Sequence, residues 1–312
     1  MRTPAQFRLR ELVLAGLLFG ACLPAESVAD IQAPEATGTP EVAAASPLRT
    51  PPYCAAPDTA GLEVTFFDVG QGDAALLRTS DGRAVLIDGG PSEARLAFWL
   101  RAKQVAQLDL VVLSHNHLDH IGGLPHAFRR LAVANAMENG LPASTRVYGD
   151  VVAAIAASGS RVLTASRRTL TVGNVELAIL PPLATAADQN NASIGLIAGH
   201  GAFRVLFTGD AEQAALEAWS RAGALVPVTV AKMGHHGSRN GTSRALVAMT
   251  DPRVVVVSLG ADNSYGHPHA EAIALWRSKG RQLLRTDAMG TITVRGCVDG
   301  TFFVASERGG DE

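Results

Sequence analysis

From residue 62 onward, short apolar runs that predict strands alternate with single amphipathic stretches that predict helices. Residues 62–69, 74–79 and 84–87 read as strands, and Thr79-Ser80-Asp81-Gly82 supplies a hairpin turn between the last two. Ser92 can cap a helix that carries Leu96, Trp99, Leu100 and Lys103 and leads into a buried strand over 108–113. Further strands are expected over 175–180, 194–198 and 203–207, followed by a helix over 211–221. Strands at 228–232 and 254–258, a helix at 271–279 and closing strands at 282–284, 291–294 and 302–305 complete the pattern. Runs of strands punctuated by single helices, in two halves, imply two packed sheets with helices outside, an α/β (α+β) chain. Nothing marks an interior linker, so residues 62–306 are expected to form one domain, with a tail at 307–312.

The first sixty residues follow different rules. Arg2, Arg8 and Arg10 precede an apolar run over 12–23. As a helix that run reaches roughly 18 Å, short of the ~30 Å of a bilayer core. A basic start, a short apolar stretch and then small residues is the order of a secretory signal peptide, with Ser27-Val28-Ala29 placing cleavage after Ala29. The expected product is exported, periplasmic or secreted, with no transmembrane segment. Gly20-Ala21 before Cys22 leave a lipoprotein anchored through Cys22 as the alternative. Residues 30–61 are rich in Ala, Pro, Thr and Glu without periodicity, which predicts a flexible tether.

Composition narrows the function. With 47% hydrophobic residues in 312, the chain can bury a sizeable core, and its formal charge of −2 excludes a generally basic nucleic-acid coat. Removing Arg2, Arg8, Arg10, Glu11 and Glu26 with the leader takes that charge to −3, so bulk charge does not favour long DNA, although a local basic groove with Arg239 and Arg244 stays open. The three cysteines form no CxxC pair, which excludes a thiolate zinc cluster. Cys54 and Cys297 flank the domain and are the disulfide candidates in an oxidising compartment.

The chemistry concentrates in Ser114-His115-Asn116-His117-Leu118-Asp119-His120-Ile121-Gly122-Gly123, directly after an apolar strand. Imidazoles two residues apart in extended chain point to one side, so His115 and His117 can share a cation. Asp119 and His120 lie beyond the bend and can reach a neighbouring cation. No GxSxG elbow and no GxxxxGK[ST] loop competes, and Gly70-Gln71-Gly72 precedes a strand rather than a helix.

HNHLDH resembles the HxHxDH motif of the metallo-β-lactamase superfamily, whose fold is a four-layer αββα sandwich. Phe67-Asp68-Val69-Gly70-Gln71-Gly72-Asp73-Ala74, Asn190-Asn191-Ala192-Ser193, Thr208-Gly209-Asp210, Gly234-His235-His236-Gly237-Ser238 and Tyr265-Gly266-His267-Pro268 follow in the order of its ComEC-like branch. That branch includes the exterior domain of the competence DNA-uptake channel and stand-alone exported hydrolases. The resemblance implies two divalent metal ions, zinc or manganese. Asp210 would bridge them, with His115 and His117 on one and Asp119, His120 and His267 on the other. It further implies that Asp88, and in a similar way Asp73, support the histidine loop from behind. A third histidine usual on the first metal is missing. Asn190 and Asn191 stand in that region with Ser193, and an amide or water there gives a more oxygen-rich site. His235 and His236 can donate a proton to the leaving group or bind a phosphoryl oxygen, and the resemblance favours His236 as the donor. Lys232 and Ser238 are candidates to stabilise charge by electrostatics or hydrogen bonding, and Tyr265 to bond a substrate oxygen or to pack.

The expected function is an exported hydrolase that attacks phosphodiesters, in nucleic acid or the cell envelope, with a metal-activated hydroxide. Asp119, Asp210 and His236 are its catalytic candidates. Hydrolysis of another ester, lactone or β-lactam is one alternative, and a non-catalytic module that binds metal or DNA is another. Substrate, metal and oligomeric state are not fixed by the sequence.

Overall fold

Strands whose two faces are both covered need apolar residues at every position, and strands with one wet face need only every second one. Both kinds occur in the computed structural model, which describes residues 61–308. The expected leader, Cys22, Cys54 and all of the expected tether but Gly61 lie outside the described residues.

The first sheet begins with an antiparallel meander, β1 (Leu62–Phe66), β2 (Ala75–Arg78) and β3 (Ala84–Ile87). The hairpin turn forms as expected, with the Gly82 N–H donating to the Thr79 carbonyl at 3.1 Å. Helix α1 (Glu93–Ala102) follows, with the Ser92 side chain accepting from the Arg95 N–H. Then β4 (Gln107–Val112) joins β3 in parallel. After the short helices α2 (Leu118–Ile121) and α3 (Leu124–Arg130), β5 (Ala132–Glu138) adds in parallel; helix α4 (Arg146–Ser158) leads to the edge strand β6 (Arg161–Thr164).

The second sheet opens with three antiparallel neighbours, β7 (Thr169–Val172), β8 (Val175–Leu180) and β9 (Gly195–His200). Strand β10 (Phe203–Phe207) is antiparallel to β9, and helix α5 (Gln213–Arg221) carries the chain to β11 (Val230–Lys232). Helices α6 (Arg244–Thr250) and α7 (Ala270–Arg277) flank β12 (Val254–Val257), and β13 (Gln282–Arg285) closes that sheet. Strands β10, β11, β12 and β13 are mutually parallel neighbours. The one-turn helix α8 (Thr286–Met289) returns the chain to the first sheet, where β14 (Ile292–Gly296) pairs with β1 and β15 (Phe302–Ser306) with β14.

The result is an eight-stranded and a seven-stranded sheet face to face with helices outside both, the expected αββα sandwich. Strand β12 shows why: Val254 and Val256 face the core between the sheets, while Val255 and Val257 face the outer layer with Trp276 and Leu246. The elements α3, β5, α4, β6, β7 and α6 were not anticipated. Leucine, alanine and valine are spread through residues 124–172 without a clean period, and burial there is partial along β6 and β7.

Parallel pairing fixes where function can sit. The ends of β3 and β4 in one sheet and of β10, β11 and β12 in the other emit their loops at the same edge, and ligands gather at such carboxyl ends.

Candidate metal centre

Strand β4 delivers Ser114 and His115 to that edge, and His117 starts α2 so that Asp119 and His120 turn back toward the sheet. Asp88, at the end of β3, holds the segment: its carboxylate accepts the Ser114 N–H at 2.8 Å, the Ser114 hydroxyl at 2.7 Å and His120 Nδ1–H at 2.8 Å. The GQGD turn braces the other side, with the Asp73 N–H donating to the Asp119 carbonyl at 3.0 Å. Only glycine fits at Gly72, where a Cβ would stand 2.2 Å from the Asp119 carbonyl oxygen, and the same holds at Gly123, 2.1 Å from the Gly89 oxygen.

From the second sheet, the turn after β10 brings Asp210, whose N–H donates to Ser193 Oγ at 3.1 Å. Its Oδ2 lies 3.3 Å from His120 Nε2, 3.4 Å from His236 Nε2, 3.6 Å from His235 Nε2 and 3.9 Å from His115 Nε2. The turn Gly234–Gly237, directly after β11, aims its two histidines by placing both in left-handed backbone, φ 49° at His235 and 51° at His236. Such conformations cost roughly 1–3 kcal/mol each and gather at functional sites. Asp119, His120, Asp210 and His236 offer ligand atoms that all lie within 4.8 Å of one another.

The fourth member of this group is His236, where the sequence reading placed His267. His236 Nε2 is 3.2 Å from Asp119 Oδ2 and 3.2 Å from His120 Nε2. The reason is sheet order: β11 neighbours β10, so its turn lands beside Asp210, whereas His267 follows β12, one strand further out. His267 stands outside the group, its ring lying against Tyr265. His236 therefore faces the cluster as a ligand candidate. His117 is exposed, with its Nδ1 3.0 Å from His115 Nε2.

The donor set fits divalent cations on tautomer grounds. His236 Nδ1 must carry hydrogen, because it reaches the Ser258 carbonyl at 2.9 Å, and His120 Nδ1 donates to Asp88. Both Nε2 atoms therefore present lone pairs to each other unless a proton or a cation lies between them. His115 repeats the pattern, its Nδ1 beside Ser114 Oγ at 3.1 Å and its Nε2 toward Asp210. Buried Asp210 Oδ1 has no hydrogen-bond partner, and a second cation would satisfy it. His115, His117 and Asp210 are the residues that would hold the first ion; Asp210, Asp119, His120 and His236 would hold the second.

Charge is balanced from behind. Burial lowers the basicity of His120 and His236, yet the Asp210 charge, helped by Asp88 for His120 and by Asp73 for His236, outweighs it and lifts both well above the usual histidine range. Burial raises Asp73, but Lys232, His236 and His120 hold its carboxyl at about 2. Lys232 is itself buried and raised, since Asp73, Asp210 and Asp88 outweigh its burial. It pairs with Asp73 inside the protein. Burial, then the neighbouring His235, His236 and His269, bring His267 down to about 4.

Asn191 Oδ1 accepts the Ala215 N–H at the start of α5, and Asn190 Nδ2 reaches Glu212 Oε1 at 3.3 Å. Asn190 Oδ1 is buried without a partner. Ser238 Oγ accepts the Asn240 N–H, a local turn contact. Glu212, which the sequence reading missed, lies 3.3 Å from His235 Nδ1; its only sequence signal is its place two residues after Thr208-Gly209-Asp210. Cys297 is buried, and Cys54 lies outside the described residues.

Residues 67–261 match the model of the metallo-beta-lactamase superfamily. The chain is 29% identical over 259 residues to ComE operon protein 3 of Bacillus subtilis, covering 75% of this chain and 33% of that protein. It is 30% identical over 233 residues to Competence protein ComA of Neisseria gonorrhoeae, covering 73% and 31%, and 28% identical over 216 residues to Recombination protein 2 of Haemophilus influenzae, covering 66% and 25%. The chain thus spans about a third or less of the length of these curated relatives. Among solved structures, the metallo-beta-lactamase fold protein YhfI of Bacillus subtilis superposes with TM-score 0.50 at 13% identity, over 78% of this chain and 100% of that one. Igni18, a metallo hydrolase of Ignicoccus hospitalis, superposes with TM-score 0.50 at 20% identity, over 75% and 98%.

Proposed function

We propose that this chain, which belongs to the metallo-β-lactamase superfamily, hydrolyses phosphodiesters at a two-cation centre. The observation that carries the reading is Asp210 Oδ2, faced by four imidazole nitrogens from both sheets at 3.3 to 3.9 Å. Divalent cations bound there supply Lewis acidity, acidify a water and draw charge from phosphoryl oxygens. The residues do the rest. Asp88 fixes the tautomer and orientation of His120 and, through Ser114, of His115. Ser258 does the same for His236. With His236 turned into the cluster, His235 is the imidazole left to face the leaving oxygen; burial lowers its basicity, a fall that Asp210 and Glu212, 3.3 Å from Nδ1, only partly offset.

A phosphodiester is favoured over a lactam because the first ion would have two imidazoles, His115 and His117, while the segment of the expected third histidine carries Asn190 and Asn191 instead, a donor set open to zinc or manganese. The names of the competence and recombination relatives agree with a nucleic-acid substrate. Export through residues 1–29 and a disulfide between Cys54 and Cys297 belong to the same reading. Among the described residues no helix is long and apolar enough to cross a membrane.

The test is hydrolysis of bis(p-nitrophenyl) phosphate and of a chromogenic β-lactam by purified protein, metal-free and then with zinc or manganese. Phosphodiester turnover that needs metal, Asp210 and His236 is expected. β-Lactam turnover beside an inert phosphodiester would overturn the reading. Silence on both with metal bound would turn the search toward other esters and a binding module.

A further inference from the structure

Tyr265 and His267 do nothing in the cluster, yet their loop is built with care. Asn263 Nδ2 donates to the Gly260 carbonyl at 3.0 Å and to the His267 carbonyl at 2.8 Å, while its Oδ1 accepts the His267 N–H at 2.9 Å. The Gly260 N–H donates in turn to Gln71 Oε1 at 3.2 Å, so the loop is tied to the turn that braces Asp119. This frame presents a large aromatic ring to solvent: Tyr265 is 64% exposed. One of its faces stacks on His267, centroids 5.6 Å apart and planes 23° apart. His267 meets the His235 ring edge-on at 5.7 Å, and His235 Nε2 faces the bridging carboxylate. An exposed ring is thus held two ring contacts from the reaction centre. Arg239, with its side chain 60% exposed, stands on the same rim, where its N–H donates to His269 Nδ1 and its guanidinium reaches Glu271 at 3.4 Å.

We propose that Tyr265, backed by His267, is a stacking platform for a nucleobase flanking the scissile phosphodiester. This rests on the phosphodiester reading and sharpens its substrate to a nucleic-acid strand with unpaired bases, because a ring inside a duplex offers no free face. Stacking suits a site without a strongly basic surface, since every base has a π-face and the contact needs no net charge. The fixed loop keeps the ordering cost of binding low.

The test uses the purified full chain with manganese or zinc and two p-nitrophenyl phosphodiesters that differ in carrying a base. These are thymidine 5′-(p-nitrophenyl phosphate) and ethyl p-nitrophenyl phosphate. Wild type favours the thymidine ester in kcat/KM. Tyr265→Ala cuts that preference by about 5- to 150-fold, through KM rather than kcat, the range for losing one base–aromatic stack. Tyr265→Phe, which keeps the ring and loses the hydroxyl, retains it. A preference that survives Tyr265→Ala, or that Tyr265→Phe removes as fully, overturns the platform. If wild type cleaves neither ester, the phosphodiester reading falls, and binding then decides the platform separately. Fluorescence of 2-aminopurine in a short single strand should be quenched by wild type and not by Tyr265→Ala; equal quenching, or none, overturns the proposal.

Discussion

Two histidine-bearing segments meet at Asp210, and they reach it by different means. Ser114 to His120 leaves β4 in ordinary backbone, and its spacing with the bend into α2 turns His115 and His120 together toward Asp210, with His117 beside His115. Its support is the Asp88 carboxylate, which accepts three hydrogen bonds, and the Asp73 N–H, which donates to the Asp119 carbonyl. The Gly234–Gly237 turn instead places two successive histidines in left-handed backbone, which aims His236 inward at Asp119 and keeps His235 at the half-buried edge beside Glu212. Its support is the Ser258 carbonyl and the Asp73 carboxylate, itself paired with buried Lys232. A ligand set by spacing can be read from sequence. One set by strain and strand order cannot.

The largest effect should come from breaking what the segments share. Asp210→Asn is expected to lower phosphodiester turnover on the order of 10³-fold or more and to reduce bound metal, measured by equilibrium dialysis with elemental analysis. The comparison itself is decided by His236→Ala against His267→Ala: the first should lose about one metal equivalent per chain, and the second should keep both. Loss of metal from His267→Ala with retention in His236→Ala would restore the reading made from sequence.

A smaller effect is expected behind the ligands. Asp88→Asn keeps the shape but loses the charge that fixes His120 and Ser114, and should weaken metal affinity about 10- to 100-fold. An unchanged affinity would mean that the histidine segment holds itself.

The smallest effect is a proton count. Because Asp210, with Asp88 or Asp73, lifts His120 and His236 well above the usual histidine value, the pair holds one or two protons in the cation-free protein near neutrality. Metal must displace them, so loading should release about one to two protons per chain, and affinity should rise with pH until both histidines are neutral. Titration calorimetry in buffers of different ionisation enthalpy reads the count; a value of zero would contradict the raised basicity.

Much of this was legible in the chain. The strands β3, β8 and β10, the Ser92 cap, the hairpin at Gly82 and the packing of two sheets follow from short apolar runs bounded by turn residues or from residues with one backbone use. The histidine segment was found from its spacing, and Asp210 and Asp88 were singled out through the family resemblance; the structure sets Asp210 Oδ2 3.3 Å from His120 Nε2 and Asp88 on Ser114 and His120. Elements between 124 and 172 were not, since their burial is irregular and comes from contacts distant in sequence.

The amino-acid sequence by itself determined which side chains are available and which strand ends carry them. The tertiary structure alone decided which histidine completes the cluster, because β11 rather than β12 lies beside β10. It alone brought Glu212 to His235 and buried Lys232 against Asp73. These are matters of distance between strands, and distance across a sheet is set by hydrogen-bonded order, which no local run of residues encodes.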